Sequence, residues 1–167
     1  DRFFNKVKSV NLLKDELPAS PKSKTSFALL GFCSDEGVRR NQGRVGAKEG
    51  PLALRKALRN KCFHNFSDVE LYDCGDVICE GDDLEGVQKL LGEKVALIIE
   101  KGHFPIVLGG GHSISWGHYQ GLEKAKSCES LGIINIDAHY DLRPLLEEGK
   151  GSSGTPFLQI AERRKEK

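Results

Sequence analysis

Apolar positions along this chain fall into continuous runs separated by stripes of helical spacing. Ser26–Cys33 (SFALLGFC) is an unbroken apolar run of the kind carried by a strand buried on both faces. Val69–Tyr72 is a shorter strand run that leads into Asp73-Cys74-Gly75-Asp76, where acids beside a glycine suit a turn. Phe104–Leu108 and Leu131–Ile136 complete the set of predicted strands. Between them the period changes. From Asp82 to Lys101 apolar residues recur at 84, 87, 91, 95 and 98, which predicts a helix capped by Asp82 or Asp83. Pro51–Arg59 opens with a proline suited to a first helical turn, and Ser113–Lys124 predicts a further helix. Residues 1–25, with Pro18 and Pro21, read as a polar lead-in to a single domain over 26–167. The Gly- and Arg-rich segment 37–50 fits either a solvated basic loop or a tight, specific path. A Gly/Ser loop at 149–154 precedes Thr155–Ile160, and a charged tail follows.

Strands alternating with helices predict an α/β fold with a parallel sheet, whose ligands sit beyond the carboxyl ends of the strands. Two polar motifs occupy that position. Asp137-Ala138-His139-Tyr140-Asp141 follows the run at 131–136, and Gly109-Gly110-Gly111-His112 follows the run at 104–108. In extended backbone, side chains at i, i+2 and i+4 share a face, so Asp137, His139 and Asp141 are expected side by side. The glycines before His112 let the backbone approach closely and aim that side chain. Charged groups gathered this way are costly unless something neutralises them. A divalent cation does so, and carboxylate with imidazole but no thiolate fits Mn²⁺, Fe²⁺, Co²⁺ or Zn²⁺. Arg143 continues the alternation, and its fork suits either a substrate carboxylate or the neighbouring acids. Ser152, Ser153 and Thr155 offer hydroxyls in the loop beyond. A rival reading takes Gly109–Gly111 as a dinucleotide fingerprint with Asp137 on the ribose. It fails where Ile114 replaces the third glycine, and it leaves His139 and Asp141 idle. His64, His103 and His118 read as surface or packing residues.

Composition narrows the classes of function. With 25 Lys+Arg against 24 Asp+Glu, the net charge of +1 carries no footprint for nucleic acid. The chain has no apolar stretch of membrane-spanning length and no signal-like N-terminus. The cysteines (33, 62, 74, 79 and 128) are odd in number and lack a C-x-x-C pair, so reduced thiols in the cytoplasm are expected. Asn65-Phe66-Ser67 matches a glycosylation sequon by chance on this reading.

Taken together, Asn41–Pro51 (NQGRVGAKEGP), Asp73–Asp76, Gly109–Ser113 and Asp137–Asp141 resemble the arginase/agmatinase (ureohydrolase) family, in the family's order. Asp141-Leu-Arg-Pro144 and Gly151–Phe157 are similar to its formimidoylglutamase branch. The resemblance implies a three-layer α/β/α arginase-like fold with a mainly parallel sheet, and an active site with two Mn²⁺. It implies that His112 and Asp141 bind one ion, His139 binds the other and Asp137 bridges them. A metal-bridging hydroxide would attack a linear amidine, with Asp137, His139 and Asp141 as the catalytic set. The substrate implied is N-formimidoyl-L-glutamate, hydrolysed to L-glutamate and formamide in histidine degradation. Arg143, Ser153 and Thr155 would bind it. The alternatives are an agmatinase- or arginase-type guanidino hydrolase, or a non-catalytic relative that lacks the full metal set. A homo-oligomer, trimeric or hexameric, is implied as well. The family's remaining ligands form an Asp-x-Asp motif on a later strand, and nothing after Asp141 offers one. Its later strands also lie between the third and fourth strands of the sheet. The chain is therefore expected to be the N-terminal half of a longer protein.

Overall fold

The structure, a computed structural model, describes residues 2–64, 68–125 and 130–165. Its strands are β1 (Val7–Ser9), β2 (Thr25–Cys33), β3 (Val69–Ile78) and β4 (Phe104–Leu108). They form one parallel sheet in the order β1-β3-β2-β4. The helices are α1 (Glu36–Arg40), α2 (Gly50–Leu58), α3 (Leu84–Glu100), α4 (Ile114–Ala125) and α5 (Pro156–Lys165). The α/β class and the parallel sheet are as the periodicity predicts. The lead-in also contributes: β1 pairs with β3, and Leu12 and Leu17 are buried in the core.

β2 is central because both of its faces are apolar. Ala28, Leu30 and Phe32 face one way and join Tyr72, Cys74 and Val77 of β3 against Leu84, Val87, Leu91, Val95 and Ile98 of α3. Those α3 positions are the predicted stripe, and Asp83 caps the helix by accepting from the Gly86 amide at 2.9 Å. On the other face, Phe27 and Leu29 meet Leu71, Ile106 and Leu108 around an apolar cavity of about 390 Å³, roofed by Phe3, Leu58 and Phe63. Helix α4 lies close against α3 because both carry glycine at the crossing. A Cβ on Gly121 would sit 2.5 Å from Val95 Cβ, and one on Gly92 would sit 2.9 Å from Gln120 Cβ.

Two expectations need correction. The run 131–136 forms no strand, and Ile133, Ile134 and Ile136 are 47%, 91% and 96% exposed. An apolar run becomes a strand only against a neighbour whose ladder it can join. None of the described strands pairs with it, in keeping with the gap the resemblance implies in the sheet. Asp73–Asp76, expected as a turn, lies inside β3 at a shift of register, with Gly75 at φ +79°. At this bulge sits Arg55, whose guanidinium donates to Asp73 Oδ1 (2.8 Å) and Oδ2 (2.7 Å), Asp76 Oδ1 (2.6 Å) and Gly75 O (2.9 Å). The acids thereby tie α2 to β3.

Cys33, Cys62, Cys74 and Cys79 are free thiols; the sequon at 65–67 and Cys128 lie outside the described residues. Burial pushes the Cys74 thiol up to about 12 and the Cys33 thiol up to about 11. Cys62 is exposed. The thiolate is the reactive form. Under native conditions at pH 8, alkylation followed by peptide mapping should label Cys62 first and leave Cys74 unlabelled until the protein unfolds. Equal rates at the two positions would contradict the burial.

Candidate metal centre

The site begins with the close fit of the glycine loop after β4 against the end of β2. Gly110 N donates to Phe32 O at 3.0 Å and Gly111 N to Ser34 O at 2.9 Å, so two successive amides pin the loop to the end of β2. Gly110 has room for no side chain, since a Cβ there would lie 2.5 Å from Ser34 O. The loop delivers His112 at the start of α4, with its ring edge-on to Phe157 at 5.7 Å between centroids.

Asp137 and Asp141 come to the same point by a different route from the one expected. The segment is not a strand, and Asp141 has a left-handed backbone with φ +50°. Aspartate tolerates that region better than most residues, and such departures gather at functional sites. The turn breaks the simple alternation from 137 to 143, yet it brings both carboxylates to His112. Ligand atoms of His112, Asp137 and Asp141 all lie within 4.8 Å of one another. His112 Nδ1 hydrogen-bonds Asp141 Oδ2 and lies 3.2 Å from Asp137 Oδ2. The Asp137 carboxyl is held below the usual carboxylate range, first by the His139 amide, which donates to Oδ1 at 2.8 Å, and then by the nearby imidazoles. It is therefore anionic at neutral pH, as a metal ligand must be.

His139 stands at the rim. Its Nδ1 is 3.5 Å from Asp137 Oδ1, and the side chain is 79% exposed. The donor set of one imidazole and two carboxylates, partly shielded and free of thiolate, fits a hard-to-borderline divalent ion such as Mn²⁺. His112, Asp137 and Asp141 would hold it, with His139 beside them. Among the described residues no other group of three such ligands converges.

The remaining sequence candidates surround this cluster. Arg143 is exposed in a groove of about 320 Å³ that it shares with Asn41, His139, Tyr140, Asp141 and Leu142. Its Nη1 donates to Asn41 Oδ1 at 3.0 Å and its backbone N to Gly154 O at 2.9 Å. Ser153 is half-buried, its amide donating to Gly37 O at 2.9 Å. Thr155 is fully buried, and its hydroxyl accepts from Ser152 N at 2.9 Å while lying 2.9 Å from Gln159 Oε1. It braces the loop from inside.

Sequence reasoning named Asn41 only within the motif that carries the resemblance, and it missed Arg40 and Glu85 as individual residues. Arg40 and Glu36 have the i, i+4 spacing that would have suggested an ion pair. Nothing local connects either residue with Glu85 or with the loop at 151. The segment 37–50 combines both readings: Gln42–Gly46 are exposed, while Gly46 N donates to Asp35 Oδ2 at 2.8 Å, Gly43 N donates to Val38 O at 2.8 Å, and Gln42 adopts φ +59°.

Comparison with known proteins identifies the family and the fold. The Arginase family model matches residues 25–167. Formimidoylglutamase of Chromobacterium violaceum is 54% identical over 135 residues, covering 81% of this chain and 42% of that protein. Formimidoylglutamase of Aeromonas salmonicida is 46% identical over 162 residues, covering 96% of this chain and 48% of its own length. The solved Trypanosoma cruzi formiminoglutamase with Mn²⁺ superposes with a TM-score of 0.75 at 38% identity, over 86% of this chain and 50% of that one. The chain thus spans about half the length of the relatives it matches. With its parallel α/β sheet and its His112/Asp137/Asp141 cluster at a strand end, the chain belongs to the arginase family.

Proposed function

We propose that the protein to which this chain belongs hydrolyses N-formimidoyl-L-glutamate to L-glutamate and formamide, using two Mn²⁺ per complete site. The observation that carries this reading is the convergence of His112, Asp137 and Asp141 within 4.8 Å beside a groove that displays Arg143. A divalent ion held by such ligands supplies Lewis acidity and lowers the pKa of water, which makes a nucleophile available at neutral pH.

The chain's own residues do the rest. Asp137, kept ionised by the His139 amide, and Asp141, kept in place by its hydrogen bond to His112, present anionic oxygens toward the reacting centre. Arg143 offers a planar fork to a substrate carboxylate a few residues from the cluster, as an amidine built on glutamate requires. Asn41 orients that fork. Ser153, on the loop whose next carbonyl holds the Arg143 amide, lines the approach. A guanidino substrate such as agmatine has no carboxylate for Arg143, which favours formimidoylglutamate over the agmatinase-type alternative. The same reading has the protein working in the cytoplasm as a homo-oligomer. Among the described residues, no helix is long and apolar enough to cross a membrane.

The test uses the full-length protein loaded with Mn²⁺, with formamide release measured from formimidoylglutamate and urea release from agmatine. Turnover of the first and not the second is expected. In Arg143→Ala, KM for formimidoylglutamate should rise about 10–100-fold, as expected when a charge-assisted bond of roughly 1.5–3 kcal/mol is lost. An unchanged KM would remove Arg143 from the substrate site.

A further inference from the structure

The guanidinium of Arg40 is the most fully engaged polar group among the described residues, and the metal cluster makes no direct use of it. Only 8% of the side chain is exposed. Its Nε donates to Glu36 Oε1 at 2.9 Å. Nη1 donates to Glu85 Oε1 at 2.6 Å and to Gly151 O at 3.1 Å, and Nη2 to Asp82 O at 2.7 Å and Glu85 Oε2 at 3.1 Å. A guanidinium has five N–H donors, and these contacts occupy all of them. They join α1, the N-terminus of α3 and the loop at 151, segments far apart in the chain.

That loop is tied to the site at its other end. Glu85 Oε1 also accepts from Gly151 N at 3.1 Å, so the peptide at 151 is gripped through both its carbonyl and its amide. Ser153 N donates to Gly37 O at 2.9 Å, one turn from Arg40 on α1. Gly154 O then accepts the Arg143 amide at 2.9 Å, and Phe157 N donates to Asp141 O at 3.2 Å. A continuous set of hydrogen bonds therefore runs from Arg40 and Glu85, through Gly151 to Phe157, to the backbone of both Arg143 and Asp141.

We propose that Arg40 is a positioning residue: by fastening the 151–157 loop to α1 and α3, it sets the placement of Arg143 for the substrate. The inference rests on the proposed reaction for its kinetic consequence, but the clamp itself can be read without turnover. Lysine at position 40 keeps the charge and loses the fork, so it cannot reach α1, α3 and the loop at once. A role limited to charge would be restored by lysine; a role in placement would not.

The experiment compares Arg40→Lys and Glu85→Gln in the full-length, Mn²⁺-loaded protein. A charge-assisted bond from Arg143 to a substrate carboxylate is worth roughly 10-fold or more in affinity, and it is lost when the fork is misplaced. In Arg40→Lys, KM for formimidoylglutamate should rise at least about 10-fold, with kcat changed far less and bound Mn²⁺ unchanged. Amide exchange at Gly151 and Ser153 should accelerate in both variants, while exchange in β2 and α3 stays at wild-type rates. Should Arg40→Lys fail to fold, Glu85→Gln carries the same readings, because it weakens the grip and leaves Arg40 in place. Wild-type KM in a folded variant, or wild-type exchange at Gly151 and Ser153, overturns the proposal. If the wild-type protein releases no formamide, the reaction assignment fails, and the exchange measurement alone decides for or against the clamp.

Discussion

Asp141→Asn should lower the Mn²⁺ affinity of the full-length protein by more than about 100-fold, because even residues that only support a metal ligand are worth about 10–100-fold. The reason lies in the donor count. Among the described residues the cluster has only two carboxylates and one imidazole, and Asp141 is the more shielded acid, with 13% of its side chain exposed against 28% for Asp137. An amide keeps the shape and removes the anion. Neutral oxygen is a weak donor to a divalent ion, and the hydrogen bond to the His112 ring is weakened as well. His139→Ala should act differently, since its side chain is 79% exposed and stands at the rim. It should weaken one class of bound ion and leave the ion at His112 and Asp141 in place. Calorimetric titration with Mn²⁺ reads both, and Asp141→Asn binding within threefold of wild type would show that Asp141 is not a ligand.

Gly110→Ala should be the most damaging single methyl added to this site, and Gly109→Ala, one residue away, should be nearly silent. A Cβ at Gly110 meets the carbonyl oxygens of Phe32 and Ser34, the second at 2.5 Å, and both are strand-end backbone with little freedom to move. At Gly109 the nearest atom would be Ile114 Cδ1 at 3.8 Å, an ordinary contact. Inserting a methyl into a packed position costs about 1–3 kcal/mol. For a chain of this size that is roughly 2–4 °C in Tm per kcal/mol. The functional loss should exceed the stability loss. The bonds Gly110 N–Phe32 O and Gly111 N–Ser34 O hold the loop that carries His112, so displacing the loop moves a proposed ligand. Mn²⁺ affinity should fall about 10–100-fold, the range found for residues that orient a ligand without touching the ion. Thermal melts and metal titrations on the two alanine variants check this, and equal behaviour of the pair would refute the crowding argument.

Much of the fold was legible because its cues are local. The apolar run at 26–33, the stripe at 84, 87, 91, 95 and 98 and the cap at Asp83 became β2, α3 and a hydrogen-bonded cap within a residue or two. Leu131–Ile136 misled because a strand is a relation between two segments. The same apolar run is exposed where no described strand lies beside it. The acids at 73 and 76 misled for a related reason. Their composition matches a turn, but Arg55, 18 residues before Asp73, holds them inside a bulged strand.

By itself the sequence determined the α/β class, the elements β2, α2, α3, β4 and α4 in their order, and the types and spacing of the candidate metal ligands. These follow from side-chain periodicity and donor chemistry, which any short window of the chain contains. Only the tertiary structure decided how the candidate ligands meet: through a left-handed backbone at Asp141 and a glycine loop pinned to the end of β2, not through one face of a strand. It also decided that Thr155 braces its loop from within and that Arg40 and Glu85 grip that loop across the fold. Such contacts join residues separated by as many as 111 positions. Closing a loop of that length has an entropic cost that grows only slowly with length, so which distant groups meet is set by the packing of the whole sheet and its helices, and no local pattern records it.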